Sequence, residues 1–311
     1  MALSAGDDVW IAGKVCIFPL RVLWCLQIDE IPANMDKYYP KDYYSYQAVQ
    51  NDQVSWKIKI KRNLFYPMMT KHKLGWNSAL GGLFCRVGSG PIFPEWLRFL
   101  SKPVSLNCGV LDIGCGSGHN LLALRDCGFT NLFGADPFIS KSLSYSGGVE
   151  VKKCELRDVK GKFGLITFHH VFEHLTNPLE TLQQARHLLL PEGQILIRIP
   201  LSDSVAALKY KEKWVQLDAP RHITLQTRKS MEILAEKAGM KIAPRGLRCH
   251  RVSILGQRTI FDGHSLSGFP FLLKNPAGQV FNDETSQSFI TESKRLNQDQ
   301  KGDQAAFILV C

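Results

Sequence analysis

Three glycines stand within five residues in Val110-Leu111-Asp112-Ile113-Gly114-Cys115-Gly116-Ser117-Gly118-His119-Asn120. An apolar strand that runs into a glycine-rich turn and then a helix start brings a ligand onto backbone N–H groups at the helix N-terminus. Glycine removes the Cβ where backbone passes close to a ligand or turns with positive φ. Asp136 follows Gly114 by 22 residues, at the end of the next apolar run, residues 132–135. A carboxylate so placed accepts both hydroxyls of a ribose. Strand, turn, helix and spaced Asp together read as a nucleoside site.

The spacing separates two kinds of nucleoside ligand. A dinucleotide fingerprint is GxGxxG, with a pyrophosphate over the helix N-terminus. Here the spacing is GxGxG, and Asp112 precedes the first glycine by two residues. A negative side chain there disfavours a pyrophosphate and favours an ammonium group. S-adenosylmethionine carries ribose, adenine, an ammonium and a sulfonium, so Asp112 with Asp136 suits it better than NAD.

Further segments carry a resemblance. Residues 168–175 read Phe-His-His-Val-Phe-Glu-His-Leu, residues 190–194 read Leu-Pro-Glu-Gly-Gln, and residues 218–222 read Asp-Ala-Pro-Arg-His. With the glycine turn, these make residues from about 105 to 311 similar to the class I S-adenosylmethionine-dependent methyltransferases. The likeness is nearest to the bacterial-type branch that includes many sugar, natural-product and quinone methyltransferases. Tyr43-Tyr44-Ser45-Tyr46 is similar to a segment upstream of such domains. The resemblance implies a doubly wound α/β fold with a seven-stranded, mostly parallel sheet whose last strand inserts antiparallel. It implies that Gly114, Cys115, Gly116 and Gly118 line the methionine portion of S-adenosylmethionine, with Asp112 near its amino group. Asp136 would bind the ribose, Pro137 or Phe138 the adenine, Leu156 and Arg157 the adenine edge, and His170 would lie near the sulfur. The chain departs from the family at Phe163-Gly164, where an Asp often follows the Phe; a local effect on stability is expected.

Methyl transfer from a sulfonium is an in-line displacement, so the protein aligns acceptor and donor. A hydroxyl acceptor must also lose a proton, which calls for a base titrating near neutrality. His222 is the candidate catalytic base, by its place in residues 218–222 beyond the fifth strand. Arg221 either binds an acidic acceptor or pairs with Asp218. Glu173-His174 with His170 is similar to the Glu-x-x-Glu-His metal cluster of some quinone O-methyltransferases, His170 replacing the first Glu. The same pair also structures a helix entry in metal-free relatives, and no metal is assigned.

The elements that position these residues alternate. Residues 110–113, 132–135, 163–168, 194–199 and 305–310 read as strands. Helices are expected over 120–127, after the N-cap Asn177 with Pro178 and Glu180, and after Thr227. Leu179, Leu182, Ala185 and Leu189 fall on one face of the second. Residues 1–104 read as an N-terminal extension, a lid or acceptor cap. In it, residues 56–62 alternate lysine with isoleucine, as an edge strand or a helix face, and a Gly/Pro-rich stretch at 81–94 punctuates its end. Residues 251–300 read as an insertion before the last strand.

The 311 residues are 45% hydrophobic and 21% charged, which excludes a disordered or coiled-coil chain. The apolar stretch 15–28 is broken by Pro19 and Arg21 and falls short of the ~20 residues a spanning helix needs. Residues 1–14 lack the basic start of an export signal, and the nine cysteines form no CxxC pair, so reduced thiols and a cytoplasmic location are expected. The formal charge of +10 suits an anionic partner or simple solubility. No Asn/Asp-Pro-Pro-Tyr/Phe motif and no Pro-Cys pair supports nucleic-acid methylation. The expected activity is therefore methylation of a small-molecule acceptor, most naturally O-methylation of a sugar, polyketide or related metabolite. The alternatives are a nucleic-acid methyltransferase and a catalytically silent protein that binds the cofactor; the oligomeric state is left open.

Overall fold

The computed structural model describes residues 10–12, 15–20, 25–39, 56–87, 90–249 and 283–311. Tyr43, Tyr44 and Tyr46, and most of the 251–300 insertion, lie outside the described residues. Three N-terminal strands, β1 (Trp10–Ala12), β2 (Val15–Leu20) and β3 (Cys25–Ile28), form an antiparallel meander. Next, α1 (Trp56–Ile60) continues through a π turn (Lys61–Phe65) into α2 (Tyr66–Lys73), and α3 (Ala79–Val87) folds back on it. The alternating region then begins. It comprises β4 (Gly109–Ile113), α4 (His119–Asp126), β5 (Asn131–Ala135), β6 (Leu143–Tyr145), β7 (Val149–Lys152), β8 (Phe163–His169) and α5 (Pro178–Leu188). It continues with β9 (Leu189–Pro200), α6 (Val205–Tyr210), β10 (Thr224–Leu225), α7 (Arg228–Lys237), β11 (Lys241–Cys249), α8 (Asp283–Gln298) and β12 (Gln304–Val310).

The large sheet runs β11-β12-β9-β8-β4-β5-β7-β6. Strands β9, β8, β4, β5 and β7 pair in parallel, and β12 enters antiparallel between β9 and β11, as expected for the last strand. Seven strands match the expected sheet. The eighth, β6, is a three-residue antiparallel strand on the edge beside β7.

Alternate side chains of each central strand enter two cores, because a strand's period of two puts neighbours on opposite faces. Leu111, Ile197, Phe307 and Leu309 join Leu182 and Ala185 of α5 and Met231, Leu234 and Ala235 of α7 on one face. Val110, Leu196, Ala306 and Ile308 join Leu121, Leu122 and Leu124 of α4, with Trp96 and Leu97, on the other. Each fully buried Leu, Ile or Phe contributes about 1.5–3 kcal/mol, so covering both faces makes the sheet a rigid platform. The N-terminal meander is tied to this platform, since β3 pairs antiparallel with β10.

Three local details differ from the sequence pattern. Asn177 precedes α5 but makes no side-chain cap; its amide instead donates to Glu180 at 2.7 Å. Leu189 does not close α5 but opens β9 opposite Phe163, where pairing with a strand edge satisfies its backbone. Gly81 and Gly82 lie inside α3 and not in a loop. A Cβ on Gly81 would stand 2.2 Å from the Met68 carbonyl oxygen, so close helix contact explains that glycine. Residues 56–62 are helical.

The platform presses on the glycine turn from below. A Cβ on Gly134 of β5 would stand 2.4 Å from Cys115 Sγ and 2.9 Å from Leu121 Cδ1. Gly134→Ala is expected to cost about 1–3 kcal/mol of stability by urea denaturation, as overpacking does; an unchanged midpoint would show that the turn does not rest on β5.

Candidate active site

The ends of β4, β5 and β8 build the first half of the site. The glycine turn leaves β4 with φ of +63° at Gly114, +55° at Gly116 and +88° at Gly118, conformations that disfavour any side chain. Gly118 is the N-cap of α4 and supplies no capping side chain, so the first-turn N–H groups keep donor capacity for a ligand. Asp136 is 4% exposed at the tip of β5. Gly116 N–H donates to its Oδ2 and Phe138 N–H to its Oδ1, both at 2.8 Å. Each carboxylate oxygen holds two lone pairs, so one on each remains for a hydroxyl donor. Phe138 is 75% exposed beside it, an aromatic face open to a base.

Asp112 is buried at 2% exposure. The Thr167 hydroxyl of β8 donates to its Oδ1 at 2.7 Å, while Oδ2 has no hydrogen-bond partner among the described residues. Burial pushes this carboxyl up to about 7, against the pull of the Thr167 and Asn120 side chains and with a push from Asp136. A buried acceptor left unmatched costs about 1–3 kcal/mol, more if charged, and a cationic donor removes that cost.

The second half gathers around Glu173, which is 1% exposed with neither carboxylate oxygen hydrogen-bonded among the described residues. His170 Nδ1 stands 3.5 Å from Glu173 Oε1, and His222 Nε2 stands 4.0 Å from the same oxygen and 3.7 Å from Asp218 Oδ2. His222 Nδ1 lies 2.7 Å from the Gln216 carbonyl, and His174 Nδ1 lies 2.8 Å from the Arg221 carbonyl. A carbonyl only accepts, so both Nδ1 atoms carry the proton and both Nε2 atoms present a lone pair when neutral. Burial pushes the His222 imidazole down, toward the neutral form, although Glu173 and Asp218 pull it up. Burial pushes Glu173 up, but the surrounding His170, His222 and His174 outweigh it and hold the carboxyl below its ordinary value. Glu173, His174 and His222 bring one ligand atom each within 4.8 Å of one another, a donor set that suits a divalent cation.

The two halves touch. A Cβ on Gly114 would stand 2.5 Å from Val171 Cγ2, so the 170–174 segment packs directly on the glycine turn. His170 (φ +57°) and Asp218 (φ +40°) both adopt the left-handed region that non-glycine residues avoid. Such strain persists where the surroundings impose it, commonly at functional sites.

The family described as "Methyltransferase domain" matches residues 91–244, the stretch that holds both halves. By that match these residues read as a methyltransferase domain. No curated protein matches the chain. Among solved structures, the mycolic acid cyclopropane synthase CmaA1 complexed with SAH and CTAB is 13% identical, covers 68% of this chain and 80% of its own, and has a TM-score of 0.44. An S-adenosylmethionine-dependent methyltransferase from Mesorhizobium loti is 11% identical, covers 69% and 96%, and has a TM-score of 0.41. The mitomycin 7-O-methyltransferase MmcR is 13% identical, covers 44% of each chain, and has a TM-score of 0.36. The family match, not these likenesses, identifies the domain.

The methyltransferase domain places the expected residues unevenly. Asp112, Gly114, Cys115, Gly116, Gly118, Asp136 and Pro137 converge at the carboxyl ends of β4 and β5, and His170 follows β8. Leu156 packs against the core, and Arg157 is exposed and paired with Glu155 at 2.8 Å. Arg221 pairs with Asp218 at 2.7 Å, the structural one of its two expected roles. Thr167 and Tyr39 escaped the sequence reading. Thr167 had a signal, as the one hydroxyl in an apolar strand. Tyr39, whose hydroxyl lies 3.3 Å from His174 Nδ1, had none, being 135 residues away in sequence. A concavity of about 560 Å³ along α8, lined by Gln287, Ser288, Thr291, Glu292 and Arg295, contains none of these residues.

Asp112 generates a pH dependence. Unfolded, its carboxyl titrates near 3.8, and folded near 7, so between these values the folded protein holds a proton the unfolded chain has released. Its contribution to stability is therefore greatest below pH 3.8 and is lost as pH rises through about 7. An ammonium ligand binds the ionised form, so affinity for S-adenosylhomocysteine is expected to fall as pH drops below about 7, with proton release on binding. Isothermal calorimetry across pH checks this, and Asp112→Asn is expected to abolish the slope while weakening binding about 10- to 100-fold.

Proposed function

We propose that this domain methylates a hydroxyl of a small-molecule acceptor, a sugar, polyketide or related metabolite, with His222 as the base. The observation that carries the reading is the buried His222 imidazole, with Nδ1 2.7 Å from the Gln216 carbonyl oxygen and Nε2 4.0 Å from Glu173 and 3.7 Å from Asp218. Bound S-adenosylmethionine supplies an electrophilic methyl group on a sulfonium. The orphaned Asp112 Oδ2 and the positive-φ glycine turn support its fit to these residues.

In this reading Asp112 receives the amino group and Asp136 the ribose hydroxyls. Gly114, Cys115, Gly116 and Gly118 line the methionine portion, with His170 near the sulfur. Pro137, Phe138, Leu156 and Arg157 border the adenine. His222 takes the acceptor proton at Nε2 as the oxygen attacks. The resulting imidazolium faces Glu173 and Asp218, whose charges stabilise it. Burial of Glu173 and His222 keeps water from competing for that proton.

A second reading rests on the same cluster. The His174 and His222 Nε2 atoms and the Glu173 carboxylate are all acceptors, and a divalent cation bound there would activate the hydroxyl by coordination. Loss of turnover on chelation, restored by zinc or magnesium, selects this reading; chelator-resistant turnover selects His222 alone.

The test is turnover on a panel of hydroxylated metabolites, read as S-adenosylhomocysteine formed. Asp136→Ala is expected to weaken cofactor binding about 10- to 100-fold without unfolding the protein. His222→Ala is expected to keep cofactor affinity and lose about 10²- to 10⁴-fold in kcat. Equal turnover in the His222 variant removes it as the base. Glu173→Gln is expected to move the acidic limb of the kcat/KM profile to lower pH, because the charge that raises the His222 pKa is gone. Failure of every acceptor alongside tight cofactor binding would instead favour a catalytically silent protein.

A further inference from the structure

The α1–α3 hairpin presents water with a surface that a free-standing protein has reason to bury. Among the described residues, fifteen large apolar side chains are exposed, and eight of them fall in the hairpin, between Trp56 and Leu83. The most exposed of these are Trp56 at 67%, Leu80 at 58%, Leu64 at 56% and Leu83 at 53%. Trp56, Ile60 and Leu64 recur four residues apart, which lines them up along one side of a helix. No residue from Trp56 to Phe65 is buried; Phe65 meets the Phe84 ring edge-on at 5.0 Å, while Trp56, Ile58, Ile60 and Leu64 hold apolar side chains in solvent.

The charge on this hairpin has one sign. From residue 53 to residue 94 the sequence has Lys57, Lys59, Lys61, Arg62, Lys71, Lys73 and Arg86 and no Asp or Glu. Arg62 is engaged by Asp126 at 2.8 Å. Lys57, Lys59, Lys61, Lys71 and Arg86 are exposed, and among the described residues none of these five joins an ion pair. Exposed apolar and aromatic side chains interleaved with unpaired lysines suit the boundary of a bilayer, where rings and aliphatic chains enter the headgroup layer and lysine stems reach back to anionic headgroups. A protein partner fits less well, because lysine is depleted at protein interfaces. No helix of the described residues is long and apolar enough to cross a membrane, so the contact lies on the surface.

We propose that the α1–α3 hairpin docks the protein on the surface of an anionic lipid bilayer. This stands apart from the acceptor and from the cofactor site. The full chain is floated with vesicles of phosphatidylcholine alone and of phosphatidylcholine with about a third phosphatidylglycerol, the anionic fraction supplying the surface potential. Binding is expected to the anionic vesicles only, with release at high salt. Reversing Lys57, Lys59 and Lys61 to Glu is expected to reduce it at least about tenfold, and Trp56→Ser with Leu64→Ser is expected to reduce it as well. Reversing Lys237, Lys241 and Lys294, exposed residues elsewhere, changes the net charge equally and is expected to leave most binding intact. Unaltered S-adenosylhomocysteine affinity in each variant shows that the fold survives. Equal recovery with both vesicle types, equal loss in both lysine triples, or binding to a DNA oligonucleotide without binding to vesicles would overturn the proposal; salt-insensitive binding by the unaltered protein would do so without any variant.

Discussion

A carboxylate buried at the exit of a central parallel strand, with only one of its two oxygens matched, governs the arrangement around it. Asp112 sits where β4 turns, and the Thr167 hydroxyl of the neighbouring strand β8 donates to it. Desolvation opposes its charge, and the remaining oxygen has no donor among the described residues. Such a group destabilises an empty site and stabilises one holding a cation. The glycine turn beside it holds positive φ at Gly114, Gly116 and Gly118, and Gly114 leaves room for Val171 to pack on the turn. In the proposed reading the two features together recognise an α-ammonium nucleoside.

The platform converts that local chemistry into a working distance to the acceptor. Val171 lies against Gly114, so the segment leaving β8 is seated on the glycine turn. The same segment carries His170 and Glu173, and the Ile223 N–H donates to the Glu173 carbonyl oxygen at 2.8 Å, which draws the 218–223 stretch alongside. The two halves of the site are thus joined by backbone contacts and one buried carboxylate. A displacement in either half is transmitted to the other through rigid packing.

Much of this was legible in the sequence because parallel strands bury both faces and read as short apolar runs with abrupt ends. The run ending at Ile113, the triple glycine and Asp136 are local signals spaced by one strand–helix–strand unit. Helix α7 was equally plain, since Thr227 and Ser230 form a reciprocal cap at its start. What escaped depends on distance along the chain. The pairing of β3 with β10 joins residues almost two hundred positions apart, and the meeting of Tyr39 with His174 has no local trace. Asn177 shows why capping residues mislead. Its side chain had a competing partner in Glu180, and the sequence does not reveal which contact the amide makes. The gathering of Glu173 and His222 follows from a fold-back of the 218–222 loop that residue order alone does not encode.

The ionisation of Asp112 in the folded protein is the most direct test of the account. Carbon-13 labelling of the aspartate carboxyls, with Asp112 assigned by its loss in a variant, allows its pKa to be followed by NMR. The expected result is a value near 7 in the free protein, falling well into the ordinary carboxylate range when S-adenosylhomocysteine binds. A value that stays the same with and without saturating ligand would mean that no ammonium reaches this carboxylate, and would contradict the claim on which the site is built.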